Sequence, residues 1–105
     1  MVRGDVYRVR LPSGGGREQR GARYAVIVQA DELLGLSTAI VAPTSRSAAS
    51  ATFRPEIEID GEPTRILVEQ LRALDVAKLD RFAGRLDAAE QRAVDDALEL
   101  VLALR

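Results

Sequence analysis

The side chains in this sequence best suited to chemistry fall into three clusters, and each reads as a way of gripping phosphate. The first lies in residues 16–28, Gly-Arg-Glu-Gln-Arg-Gly-Ala-Arg-Tyr-Ala-Val-Ile-Val, a polar, glycine-bracketed loop that hands one arginine to an apolar strand. Arg23 stands at that junction. Such a position anchors the side chain from behind while its guanidinium stays open to forked hydrogen bonds with phosphoryl oxygens. Arg17, Glu18, Gln19 and Arg20 precede it, and a loop so rich in donors could clamp a phosphodiester, although a solvated polar loop accounts for the same residues. The second cluster is Pro43-Thr44-Ser45-Arg46-Ser47. Hydroxyls directly after a buried strand commonly hydrogen-bond their own backbone in a turn. Beside an arginine brought in by a neighbouring strand, they could also donate to a phosphoryl oxygen. Glu69-Gln70-Leu71-Arg72 is the third: a charged pair at a strand end reads first as a surface ion pair, and otherwise Arg72 extends a phosphate track.

What the chain lacks narrows the chemistry further. It has no histidine and no cysteine among its 105 residues. The side chain that most easily moves protons near neutral pH is therefore missing, thiolate chemistry and disulfides are excluded, and a zinc site is not expected. Arginine, carboxylates and hydroxyls remain. The run from Gly14 to Gly21 is not a nucleotide-binding phosphate loop, because no Gly-Lys-Ser/Thr follows and it leads into a strand rather than a helix. The net charge of −1 conceals an asymmetry: residues 1–54 carry +4, residues 55–86 carry −2 and residues 87–105 carry −3. A basic front half and an acidic tail suit a phosphate-binding surface at one end of the chain. Fourteen of the fifteen cations are arginine, which codon bias in a GC-rich genome would also produce. No apolar run approaches the ~20 residues of a membrane span, and the first residues do not read as a signal peptide, so a cytoplasmic, reducing setting is expected.

The elements that must position these clusters are legible from hydrophobic periodicity. Residues 5–11 alternate Val6, Arg8 and Arg10 against Tyr7, Val9 and Leu11, the pattern of a half-buried strand. Pro12 and the following glycines open a loop through Ala22. Residues 23–29 read as a central strand, and residues 38–43 as a second buried strand that ends at its proline. Residues 31–37 form a polar excursion between them, and residues 44–50 a loop. Residues 53–60 alternate and turn at Asp60-Gly61 into a hairpin partner over residues 64–68. Residues 70–74 and 76–82 suggest short helical turns, followed by a brief strand near residues 83–86. A helix begins at Asp87, capped by the Asp87/Glu90 spacing and carrying an apolar stripe of Val94, Ala97, Leu98, Val101 and Leu102. With neither an internal repeat nor a long linker, residues 1–105 read as one domain. The expected fold is mostly β with helices: a small, strongly curved antiparallel β-barrel with a C-terminal α-helix.

In this order and spacing the motifs resemble the MazF/PemK family of toxin endoribonucleases. The family pattern opens with Gly-Asp-x-aromatic, here Gly4-Asp5-Val6-Tyr7. It continues as Gly-x-Glu-Gln-x-Gly-x-Arg, here Gly16 to Arg23, then as a strand with a terminal hydroxyl, Ile40-Val41-Ala42-Pro43-Thr44-Ser45, and as Val68-Glu69-Gln70-Leu71-Arg72. Gly84-Arg85-Leu86 and a terminal helix complete it, so the resemblance covers essentially the whole chain. It implies an SH3-like barrel of the CcdB/MazF type, a homodimer, and a cognate MazE-like antitoxin as partner. It further implies metal-independent, cofactor-free cleavage of single-stranded RNA at a short sequence, through attack of the upstream 2′-hydroxyl. The family's catalytic arginine falls on Arg23, with Glu18 to orient it or assist proton removal. The catalytic hydroxyl aligns with Ser45, with Thr44 one residue before it. RNA contacts are implied at Arg17, Gln19, Arg20, Tyr24, Arg46, Gln70 and Arg72. Tyr24 replaces the proline usual after the arginine and offers a ring on which a base could stack. Two rivals share the barrel: a non-catalytic, gyrase-targeting toxin like CcdB, and a barrel that only binds RNA or a partner. A gyrase poison has no need of the Glu18 and Arg23 phosphate clamp.

Overall fold

The computed structural model describes residues 1–11 and 21–104. Seven strands appear in chain order: β1 (Asp5–Leu11), β2 (Gly21–Ile27), β3 (Thr38–Ser45), β4 (Glu56–Ile59), β5 (Glu62–Ile66), β6 (Arg72–Asp75) and β7 (Leu79–Arg85). One helix, α1 (Ala88–Val101), follows them. Every pairing is antiparallel, and the sheet runs β4-β5-β3-β2-β1-β7 with β6 also paired to β3. The outer edge of β3 is thus shared: Thr38–Val41 pair with β6, whereas Thr44 and Ser45 pair with β5. One strand with two partners on one edge must bend between them, and the sheet curls there into the expected small barrel.

Side chains of alternate residues pack on opposite faces of the curled sheet. Val9, Leu11, Ala25, Ile27, Ala39, Val41 and Leu74 fill one core. Val6, Val26, Val28 and Ala42 fill the other, beneath Ile57 and Ile59 of β4, Ile66 of β5, and Val94 and Ala97 of α1. Ala25, Val26 and Ile27 at the end of β2 are buried on both faces, as the apolar run there implied. The α1 cap is a full capping box: Glu90 N–H donates to Asp87 Oδ1 at 2.8 Å and Asp87 N–H donates to Glu90 Oε1 at 3.0 Å. The helical stripe packs as read from Val94 to Val101, but Leu102 lies at the C-cap and is exposed. Among the described residues, no helix is long and apolar enough to cross a membrane.

Three sequence readings need correction. The strand expected to end at Pro43 continues to Ser45. Pro43 sits where the partner on that edge changes from β6 to β5, and its carbonyl accepts Leu67 N–H at 2.8 Å. In a strand, N–H and C=O of one residue point the same way, so the missing N–H falls in the gap between two partners and costs no ladder bond. Residues 70–74, read as a helical turn, form a 3-10 turn (Val68–Gln70) and then β6. Residues 76–82 likewise hold a 3-10 turn (Val76–Lys78) and most of β7, which extends the brief strand read at 83–86. Here the misreading has a definite source. Leu79 stands opposite Val9 and Phe82 opposite Tyr7, so four residues of β7 match three of β1. The extra residues are β-bulges, and they convert a two-residue repeat into the three-residue spacing of a helix.

At the start of β1, Gly4 takes φ +93°, and a side chain there would meet Gln91. That turn brings Asp5 into the protein at 1% exposure, where its carboxylate accepts Val2 N–H at 2.8 Å and Arg85 Nε–H at 2.7 Å. The hydrogen bond to Asp5 and its negative charge hold the Arg85 guanidinium protonated above its ordinary range. A raised cation pKa gives stability that is lost only when pH climbs through the raised value, so this pair persists across the whole working pH range. The two partners are unequal, because Arg85 is mostly exposed and can return to water whereas Asp5 cannot. Asp5→Asn should cost about 1–3 kcal/mol in urea unfolding. Arg85→Ala, which strands a buried charge, should lower the midpoint further.

Candidate functional site

Strands β2 and β3 leave the core side by side, with Ala25 opposite Pro43. The residues just beyond that pair form a rim: Arg23 and Tyr24 on β2, Thr44 and Ser45 on β3. With Arg46 and Ser47 they line a cleft of about 260 Å³. Burial falls steeply along β2, from Ala25, fully buried, through half-buried Tyr24 to exposed Arg23. Arg23 thus lines the cleft from an exposed position while the next residues of its strand are fixed in the core.

The two hydroxyls are differently engaged. Thr44, buried, donates its O–H to the Tyr24 carbonyl at 2.9 Å, which ties β3 to β2 at the floor of the cleft. Ser45 Oγ accepts the N–H groups of Ser47 (3.3 Å) and Ala48 (3.1 Å) and lies 3.4 Å from Ser47 Oγ. Ser45 therefore shapes the turn after β3, as such residues commonly do, yet its own proton is committed to no backbone carbonyl. Thr44 can present lone pairs to the cleft and Ser45 a donor.

The ring of Tyr24 is held from both ends. Its Oη donates to Asp60 Oδ2 at 2.8 Å, and the Arg8 guanidinium lies 5.3 Å from the ring centre, within cation–π range. Asp60 can serve because the Asp60-Gly61 turn, with φ values of +53° and +78°, forms the hairpin read from the sequence and brings its tip back over β2.

The structure gathers five of the expected site residues into this cleft: Arg23, Tyr24, Thr44, Ser45 and Arg46. Arg17, Glu18, Gln19 and Arg20 lie outside the described residues. Gln70 and Arg72 are not among the cleft's lining. Gln70 ends the 3-10 turn Val68–Gln70, and Arg72 opens β6 opposite Val41, three residues along β3 from Thr44 and hence about 10 Å away. Glu69 is taken up by Arg54 of the loop after β3, whose Nε–H reaches Oε2 at 2.8 Å, a partner outside the cluster in which the sequence suggested an ion pair. Two lining residues escaped the sequence reading, Arg8 and Thr64. Arg8 was legible as an outward residue of β1, but its register opposite Tyr24 was not. Among the described residues no group of three or more histidine, cysteine, aspartate or glutamate side chains could hold a metal ion.

Comparison with known proteins follows the same lines. The family model for PemK-like, MazF-like toxins of type II toxin–antitoxin systems matches residues 2–102. The chain is 36% identical over 111 residues to Endoribonuclease EndoA of Bacillus subtilis, spanning 99% of this chain and 96% of that protein. It is 35% identical over 109 residues to Endoribonuclease MazF of Staphylococcus epidermidis, spanning 97% and 91%. In fold it resembles a mycobacterial endoribonuclease solved in complex with its cognate antitoxin, with a TM-score of 0.85 at 17% identity over 100% of this chain and 97% of that one. The chain belongs to the PemK/MazF family of type II toxins.

Proposed function

We propose that this protein is the toxin of a type II toxin–antitoxin pair and an endoribonuclease that cuts single-stranded RNA without a metal ion. The observation that carries the reading is the cleft itself, an arginine on β2 facing two hydroxyls on β3. The 2′-hydroxyl upstream of the scissile bond attacks the adjacent phosphorus and gives up its proton. The P–O5′ bond breaks, leaving a 2′,3′-cyclic phosphate on one product and a 5′-hydroxyl, which takes up a proton, on the other. Since the nucleophile belongs to the substrate, the protein needs only to orient the phosphate and stabilise charge on its non-bridging oxygens. A chain without histidine can do that. Arg23 binds the phosphorane with its fork of N–H donors, and Ser45 donates a further hydrogen bond. A guanidinium holds its proton too tightly to donate it cheaply, so electrostatics is its main contribution. Glu18 orients Arg23 or receives the 2′-hydroxyl proton, and Tyr24 offers its ring to a base. The endoribonuclease names of EndoA and MazF support this reading over a gyrase-targeting or purely binding barrel.

The remaining roles follow. The active unit is a homodimer in the cytoplasm, where its RNA is. A cognate antitoxin lays an acidic, extended segment over the cleft and mimics the charge of RNA, and the basic front half of the chain suits that cover.

Arg23→Ala should lower kcat on a mixed-sequence RNA by about 10²–10³ with an unchanged circular dichroism spectrum, and Arg23→Lys should restore only part of it, because charge returns without the fork. A folded, fully active Arg23→Ala protein would sink the assignment. The hydroxyls should separate by readout. Ser45→Ala should reduce kcat at least about 10-fold, the loss of one donor to the transition state. Thr44→Val should instead cost about 1 kcal/mol of stability through the lost bond to Tyr24. Equal kinetic losses at both positions would contradict that division of labour.

A further inference from the structure

We propose that Arg8 and Arg81 form a second phosphate subsite, which carries the RNA strand out of the cleft, across β1, to the edge of the sheet at β7. The inference rests on the RNA-cleaving reading above and extends it to residues outside the reacting centre. Arg8 and Arg81 stand directly opposite one another in the β1–β7 ladder, and Arg8 stands opposite Tyr24 in the β1–β2 ladder. Residues directly opposite in an antiparallel pair share a face. The three side chains therefore make one row across three strands: Tyr24 and Arg8 in the cleft, Arg81 beyond it. Tyr7 and Phe82, the next pair along, meet edge to face at 5.8 Å on the other face, which fixes this register.

The row is unusual in its charge. Like charges directly opposite on paired strands repel and destabilise the sheet. Four other arginines have a carboxylate partner: Arg3 with Asp95, Arg54 with Glu69, Arg65 with Glu56 and Arg85 with Asp5. Among the described residues, neither Arg8 nor Arg81 has a carboxylate within ion-pair distance, although the chain carries one more acid than base. A phosphate between the two guanidiniums would turn that repulsion into two charge-assisted contacts. The next strand spacing, about 5 Å, puts Arg81 one step beyond the residues that line the cleft, where a strand already gripped there would pass. Contacts of this kind hold the backbone without reading bases, so they set affinity rather than the sequence cut.

The test compares wild type, Arg81→Ala and Arg81→Glu on one cleavable oligoribonucleotide and on versions shortened from either end, with Arg92→Ala on exposed α1 as control. Arg81→Ala should raise KM about 10-fold on the full-length RNA, the equivalent of one lost charge-assisted contact, and leave kcat unchanged. Shortening one end should abolish that difference. The salt dependence of binding should flatten by about 0.7 in log–log slope for one lost phosphate contact on a single strand. Arg81→Glu, facing Arg8, should bind RNA more weakly still while raising the melting temperature, an opposition that a merely structural arginine would not give. A length-independent KM, an unchanged salt slope, or an altered oligomeric state in Arg81→Ala would overturn the subsite while wild-type cleavage leaves the parent reading intact. Wild-type protein that cuts no RNA would instead defeat the parent reading. Binding of the same oligonucleotide would then decide the subsite, which stands if the slope depends on Arg81 and falls if it does not.

Discussion

The shared edge of β3 is the constraint on which the rest of the molecule depends. Had β3 kept one partner along its whole length, the sheet would have continued flat past Pro43. Instead β6 takes its first half and β5 its last two residues, and the bend between them sets the buried Thr44 and Ser45 against the wall of the cleft. The same bend swings the β4–β5 hairpin across the sheet, so that Asp60 at its tip can hold the Tyr24 ring. Proline at the switch point is chemically apt, because it has no N–H to satisfy there while its carbonyl still accepts Leu67 N–H.

Charge is organised around this frame. The ion pairs Arg3–Asp95, Arg54–Glu69 and Arg85–Asp5 fasten the N-terminus, the loop after β3 and the last strand to their neighbours. Their value lies less in Coulomb energy, which is small for exposed pairs, than in satisfying groups such as buried Asp5 that cannot be left alone. Around the cleft the pattern reverses. Arg8 lies over a tyrosine ring, and neither it nor Arg46 has a carboxylate within ion-pair distance among the described residues. Two cations without a carboxylate partner raise the local potential for an anion at some expense in stability.

Much of the fold could be read from period and punctuation. The alternation of residues 5–11, the apolar run of β2, the Asp60-Gly61 turn and the Asp87 cap each act locally, so the sequence shows them directly. Where the reading failed, a distant partner had changed the local rule. The bulges that fit β7 to β1 disguised a strand as a helical turn, and the switch of partners let β3 run through a proline. The site followed the same division. Arg23, Thr44 and Ser45 were legible because each follows or opens an obvious strand. Arg8 and Thr64 were not, because their place in the cleft comes from cross-strand register and from the curl of the sheet.

In the proposed mechanism the RNA supplies its own nucleophile while the protein supplies an arginine and a hydroxyl to hold the phosphate. The most direct test is a set of oligoribonucleotides, incubated with the purified protein in EDTA, each bearing a single 2′-deoxy sugar at a different position around the cut. Cutting should fail only when the missing hydroxyl is the one immediately upstream of the scissile bond, and the all-ribose substrate should yield 5′-hydroxyl and 2′,3′-cyclic phosphate ends. Continued cutting at the deoxy-substituted bond, or products with 5′-phosphates, would contradict it.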